Sequence, residues 1–323
     1  MASSPARVKL QFWRLVNMTM ADRQKIVVVL GPTASGKSTL AFELARRLRG
    51  EILCVDSMTV YRGMDIGTAK PSGRDRAEIP HQLVDVVDPD QQYAVARFVQ
   101  EADQVIADTR ARQTPLIATG GTPLYYKALF EGLFEGPQAD APLRDRLREQ
   151  SNEQLHARLG EVDPAAAERI HVNDSRRVIR ALEVFELTGQ SITSLQQEWS
   201  SGKLRHEAVF VGLNWDKEII NRRINARVKA MMDAGWLEEV RGLLGRYGAL
   251  SQTAAEATGY AELMTHLQGR MTMEDAVEQT KIATRQLARR QMKWFRRFAN
   301  VLWLEGQLPM EALLEKVMQR RLE

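Results

Sequence analysis

The chain has 323 residues, 44% hydrophobic and 27% charged, with 45 Lys and Arg against 41 Asp and Glu for a formal charge of +4. This composition excludes a disordered chain, and the length implies one large domain with an insertion, or two domains. A single cysteine, Cys54, excludes an internal disulfide framework and fits a reducing cytoplasm; the apolar runs, such as Ile26 to Leu30, fall far short of the roughly 20 residues of a bilayer span, so no membrane is expected.

Residues 1–24 form an N-terminal extension expected to be disordered. Its first 21 residues carry Arg and Ser but no Asp or Glu. That suits an organellar leader, or a translation start at Met18 or Met20, the latter favoured. From Ile26 to Leu30 the chain predicts a buried strand, then a glycine-rich turn, then a helix with Leu40, Leu44 and Leu48 at helical spacing. A second strand is predicted at Ile52 to Val55, a helix near Ala94 to Arg110, and a third strand at Leu116 to Ala118 running into Gly120 and Gly121. Alternating strands and helices imply a parallel sheet covered on both faces. Polar helices without a strand signal follow, then one more strand at Ala208 to Leu213 and long helices to the end. The fold class is therefore α/β, a P-loop NTPase-like parallel sheet core (residues 25–136 and 205–323) with a helical insertion domain at residues 137–204.

Gly31 to Ser38 reads GPTASGKS and meets the GxxxxGK[ST] template with a strand before it and a helix after it. Glycines let backbone N–H groups converge on phosphate oxygens, and the helix N-terminus adds its positive dipole end. Lys37 neutralises phosphate charge and Ser38 is placed to bind Mg²⁺. A prenyl diphosphate and a nucleotide diphosphate look alike to such a turn. Asp56, at the carboxyl end of the second strand, is placed for a general base, a magnesium partner or a turn cap.

In the helix holding Thr284 to Arg297, Arg285, Arg289, Lys293 and Arg296 follow at intervals of four, four and three and share a face. Ala276, Ala283, Leu287, Trp294 and Phe298 are expected on the opposite, buried face. No acidic residue occurs from Ile282 to Asn300. Such a ladder suits a nucleic-acid phosphate backbone. Arg176, Arg177 and Arg180 open a second helix capped by Asp174, with Val178, Leu182 and Phe185 as its buried stripe.

DSMTVYRGMDIGTAKP at Asp56 to Pro71 joins GPTASGKS in resembling the tRNA dimethylallyltransferase family, the tRNA isopentenyltransferases. PHQLVDVVDP at Pro80 to Pro89, GGTPLYYKAL at Gly120 to Leu129, NDSRRVIRALEV at Asn173 to Val184 and ATRQLARRQMKWFRR at Ala283 to Arg297 extend the likeness over nearly the whole chain. The resemblance implies transfer of a dimethylallyl group from dimethylallyl diphosphate to N6 of the adenosine 3′ of the anticodon, with release of diphosphate. It implies Asp56 as general base, with Thr33 and Lys37 also catalytic. The diphosphate would be held by Gly31, Pro32, Thr33, Ala34, Ser35, Gly36, Lys37 and Ser38, with Arg223 beside it and Mg²⁺ on Ser38. Contacts to the tRNA anticodon stem-loop would come from Asp56, Ser57, Met58, Thr59 and Thr122, from Arg144, Arg176, Arg177 and Arg180 in the insertion, and from Arg285, Arg289, Arg290, Lys293 and Arg296. Thr59 stands where many members carry Gln, and EATGY at Glu256 to Tyr260 departs from a segment that commonly carries Gln or Arg. A cytoplasmic monomer is expected. A P-loop kinase of a small metabolite is the enzyme alternative, and an NTP-driven RNA-binding switch the non-enzymatic one, for which the chain has no NKxD motif.

Overall fold

A computed structural model describes residues 25–132, 136–199 and 204–322. The expectations for residues 1–24 lie outside the described residues. The chain divides into two compact units, Met1–Phe130 with Arg205–Glu323, and Glu131–Leu204.

The larger unit begins with β1 (Ile26–Leu30), α1 (Lys37–Leu48), β2 (Glu51–Cys54), α2 (Gly73–Glu78), β3 (His81–Gln82), α3 (Val95–Ala111), β4 (Leu116–Thr119) and α4 (Pro123–Phe130). The smaller unit holds α5 (Ala141–Arg148), α6 (Asn152–Val162), α7 (Pro164–Arg169), α8 (Ser175–Thr188) and α9 (Ile192–Trp199). The chain returns to the larger unit with β5 (Ala208–Asn214), α10 (Lys217–Asp233), α11 (Trp236–Tyr247), α12 (Gln252–Ala255), α13 (Tyr260–Leu267), α14 (Met273–Phe295), β6 (Leu302–Glu305) and α15 (Met310–Leu322).

The six strands form one parallel sheet in the order β3-β2-β4-β1-β5-β6. All five residues of β1 are buried, as a central parallel strand covered on both faces requires. Its side chains alternate: Val27 and Val29 pack with Leu40 and Leu44 of α1 and Leu314 and Val317 of α15, whereas Val28 and Leu30 join the core that includes Phe98, Tyr126 and Phe295. Each buried core leucine contributes ~1.5–3 kcal/mol of hydrophobic stabilisation, so the apolar period of α1 is enough to hold it on the sheet.

Two strands differ from the sequence expectation. β3 has two residues and β6 four, both lie at sheet edges, and β6 interrupts the stretch read as helix to the end. A short edge strand buries too little apolar surface to leave a periodic signal.

In the smaller unit, Asp140, Ser151, Asp163 and Asp174 cap α5, α6, α7 and α8, each accepting the backbone N–H three residues on. The helices bury Leu143, Leu147, Leu155, Leu159, Val178 and Leu182. Phe185 is only half-buried, while Ile179, Ala181 and Val184 are buried, so the packed face of α8 is broader than the expected stripe. Glu183 of α8 has no exposed surface. It accepts the Arg144 guanidinium at 2.8 and 2.9 Å, Arg180 at 2.6 Å and the Asp140 N–H at 2.8 Å.

Candidate active site

The phosphate turn follows β1, and β2 and β4 end beside it, so three parallel strands deliver their C-terminal residues to one place. Ala34 (φ 63°) and Gly36 (φ 88°) adopt left-handed conformations that curl the backbone N–H groups into a concave surface at the start of α1. The turn is fastened from outside. The indole N–H of Trp215 donates to the Ser35 carbonyl at 3.0 Å, Arg223 Nε donates to the Ala34 carbonyl at 2.8 Å, and the Arg223 guanidinium stacks on the Trp215 ring at 4.4 Å.

A cavity of about 630 Å³ opens over this turn. Thr33, Lys37 and Ser38 line it from the turn, Asp56 to Thr59 from the loop after β2, and Gly120 to Thr122 from the loop after β4. The strand expected to reach Val55 ends at Cys54, and Asp56 follows two residues later. Its carboxylate is held by two backbone donors, Met58 N–H on Oδ1 and Gly121 N–H on Oδ2, both at 2.8 Å. Thr122 Oγ1 accepts the Ser57 N–H at 2.9 Å, so Thr122 shapes the same loop.

Lys37 is buried and its Nζ donates to the Pro32 carbonyl at 3.3 Å. Burial, then the neighbouring Arg227, bring its pKa down to about 8, with Asp56 acting in the opposite direction. Arg227 lies one helical turn beyond Arg223 on α10 and lines the cavity, whereas Arg223 is exposed and spends its Nε on the outside of the turn. Arg227 is itself half-buried, and desolvation lowers its pKa against the pull of Asp56. Lys37 and Arg227 thus place two cations beside a concave row of amides, with Asp56 lining the same cavity, an arrangement suited to a polyanionic ligand.

Part of the remaining wall is apolar, formed by Val228, Met231, Trp236, Ala257 and Leu287, beside polar residues that include Glu256, Thr258 and Thr284. Two lining groups, the Thr59 hydroxyl and the Trp236 indole N–H, are buried without a hydrogen-bond partner. Glu239 of α11 accepts the N–H groups of Asp65 and Ile66 at 2.9 and 2.7 Å and the Tyr260 hydroxyl at 2.6 Å. It fixes the loop whose Gly67 and Thr68 close the cavity.

No cluster of three His, Cys, Asp or Glu that could hold a metal exists among the described residues. The cavity nevertheless fits a magnesium ion carried on a diphosphate: the Ser38 hydroxyl is open to it, and Mg²⁺ needs few protein ligands when phosphates and waters supply the rest.

The expected basic ladder on α14 is in part corrected. Arg289, Lys293 and Arg296 are exposed, but Arg285 is only 20% exposed at its side chain and pairs with Asn225 Oδ1 at 2.8 Å and Glu278 at 3.3 Å. The buried face runs through Ala276, Thr280, Ala288, Gln291 and Phe295, while Ala283, Leu287 and Trp294 are half-buried. The packed face is rotated from the apolar stripe because Gln291 is buried and Leu287 is turned to the cavity. Arg290 is exposed and lines the cavity rim. In the helical unit, Arg176 and Arg177 are exposed, with Arg177 3.1 Å from its cap Asp174. Arg144 and Arg180 are tied to Glu183.

Arg227, Gln291 and Glu239 went unnoticed in sequence. Arg227 had the signal of a second arginine at a four-residue interval on α10; for the other two only the fold brings the partners together.

The parallel sheet, the phosphate turn and the carboxylate over one cavity define the class, an α/β protein with a P-loop NTPase-like fold. The family model described as IPP transferase matches residues 59–298. A tRNA dimethylallyltransferase of Geobacter metallireducens is 43% identical over 305 residues, covering 93% of this chain and 99% of the relative. One of Anaeromyxobacter dehalogenans is 44% identical over 302 residues, covering 92% and 98%. Among solved structures, a full-length tRNA isopentenylpyrophosphate transferase of Bacillus halodurans is similar at 35% identity and a TM-score of 0.69, over 92% of this chain and 97% of that one. A eukaryotic dimethylallyltransferase acting on tRNA is similar at 29% identity and a TM-score of 0.76, over 87% and 74%. The chain belongs to the tRNA dimethylallyltransferase family of prenyltransferase enzymes.

Proposed function

We propose that the chain transfers the dimethylallyl group of dimethylallyl diphosphate to N6 of the adenosine 3′ of the anticodon, releasing diphosphate. The observation that carries this reading is one cavity in which a phosphate turn with Lys37 and Arg227 faces a carboxylate, Asp56, pinned by two backbone N–H groups.

The bond between C1 of the allyl group and the bridging oxygen breaks, and its electron pair leaves with the diphosphate. Amides of the turn, Lys37 and Arg227 stabilise that growing charge, the kind of preorganised field that lowers barriers most. Adenine N6 supplies the new C–N bond. Its lone pair is delocalised into the ring, so removal of the N6 proton by Asp56 assists attack. The N–H donors on Asp56 fix the direction in which its carboxylate faces the cavity. Magnesium held by Ser38 and the diphosphate would supply further neutralisation of the leaving group. The apolar wall seats the five-carbon group away from water, and the unpartnered Thr59 hydroxyl and Trp236 N–H are donors a bound base can use. A base must leave its stack to enter such a cavity, which favours a loop nucleotide over a paired one. The exposed Arg289, Lys293 and Arg296 of α14 suit the RNA backbone, with Arg290 between them and the cavity.

Thermal unfolding with ligands tests the reading against a kinase. Dimethylallyl diphosphate with Mg²⁺ at a hundred times its Kd should stabilise the fold by about 2.7 kcal/mol. Stabilisation by ATP with Mg²⁺ and none by dimethylallyl diphosphate would overturn it. Among the described residues no helix is long and apolar enough to cross a membrane.

A further inference from the structure

We propose that Gln291 is a positioning residue that sets the spacing between the phosphate turn and Asp56; the inference rests on the function proposed above. Gln291 sits on α14, is 3% exposed and lines the cavity. Its Oε1 accepts the Thr33 N–H at 2.8 Å and its Nε2 donates to the Gly121 carbonyl at 2.7 Å. Thr33 N can only donate and the Gly121 carbonyl can only accept, so the amide has one orientation. Gly121 in turn gives its N–H to Asp56 Oδ2.

The result is a continuous hydrogen-bonded path, Thr33 to Gln291 to Gly121 to Asp56, that joins the residue holding the leaving group to the residue taking the proton. A methyl on Gly121 would lie 2.8 Å from Asp56 Oδ2 and 2.9 Å from Gln291 Nε2, so a glycine is required there for the two side chains to close on the same peptide. A buried amide with both ends satisfied is rigid and costly to disturb. In a displacement, attacking atom, carbon and leaving oxygen must align, and an error near 1 Å costs about a hundredfold in rate. Both polar ends of Gln291 are engaged by the backbone of Thr33 and Gly121, so it acts through the two loops.

The test uses the full chain with two variants. Gln291→Met keeps length and burial but removes both hydrogen bonds. Gly121→Ala keeps Gln291 and wedges the path open. Binding of inorganic diphosphate with Mg²⁺ is followed by calorimetry, and transfer to anticodon stem-loop RNA by single-turnover and steady-state kinetics. We expect, for both variants, unchanged binding stoichiometry, a Kd weaker by about fivefold to tenfold, and a kcat lower by about tenfold to a hundredfold. KM for the RNA should stay within about twofold, because the exposed arginines of α14 are untouched. A smaller folded fraction would change stoichiometry and leave Kd alone, so the Kd separates positioning from mere destabilisation. Folded variants with Kd and kcat both within about twofold of the parent would overturn the inference while leaving the reaction intact. Absence of transfer by the parent protein would refute the proposed reaction instead, and the diphosphate Kd would still decide the role of Gln291.

Discussion

At the scale of single residues, the cavity gathers cations at the phosphate turn. Lys37 and Arg227 line it together, and burial and then the Arg227 charge bring the Lys37 pKa down to about 8, against the pull of Asp56. A bound diphosphate favours the charged amine, so the complex keeps a proton that the free protein loses above pH 8. Binding therefore weakens as pH rises through 8, approaching about tenfold per pH unit. Removing Arg227 takes away a like charge, which moves the Lys37 pKa upward while also removing a ligand cation. Arg227→Gln should then bind diphosphate more weakly at pH 7, with the inflection of log Kd against pH shifted to higher pH. Calorimetric titrations between about pH 6.5 and about 9.5 check this on either side of the Lys37 pKa of about 8. An inflection that stays in place would show that the two cations do not interact.

At the scale of elements, α14 carries two kinds of residue on different faces, and substitution should separate them. Phe295 is fully buried and meets Tyr126 edge-on at 5.7 Å. Phe295→Ala should cost about 3–5 kcal/mol in denaturant unfolding. Lys293 is exposed, so Lys293→Ala should change stability by no more than about 0.5 kcal/mol. It should weaken RNA binding and lower the salt slope of log K by about one. The reverse pattern would mean that the helix is turned the other way. The same helix shows how far sequence reasoning reaches. Its exposed Arg289, Lys293 and Arg296 were legible from spacing alone, because a helix face is a local property. The buried Gln291 was not, because its partners Thr33 and Gly121 lie 258 and 170 residues away. β1, β2, β4 and β5 were legible because central strands bury continuous apolar runs. β3 and β6 were not, since edge strands of two and four residues carry almost no periodicity.

At the scale of the whole molecule, the larger unit joins a P-loop-like sheet to a long helix whose exposed cations suit RNA, and the smaller unit is a helical body organised around a buried carboxylate. Burial pushes the Glu183 pKa up, but hydrogen bonds from Arg144, Arg180 and Asp140 N outweigh it and leave the group below its usual value. Arg144 and Arg180 read in sequence as cations open to RNA; in the fold they also hold Glu183, and that structural use was invisible because the burial of Glu183 depends on packing around α8. Asp56 and the phosphate turn were legible because motif and strand end coincide, whereas the walls that complete the cavity come from α10, α11, α13 and α14, late in the chain.

The most direct measurement is nucleoside mass spectrometry of anticodon stem-loop RNA after incubation with the protein, dimethylallyl diphosphate and Mg²⁺, with Asp56→Ala in parallel. The account predicts a dimethylallyl adduct on the adenosine 3′ of the anticodon, formed by the parent protein and lost or greatly slowed in the variant. No adduct on any RNA offered, or an adduct formed equally fast without the Asp56 carboxylate, would contradict it.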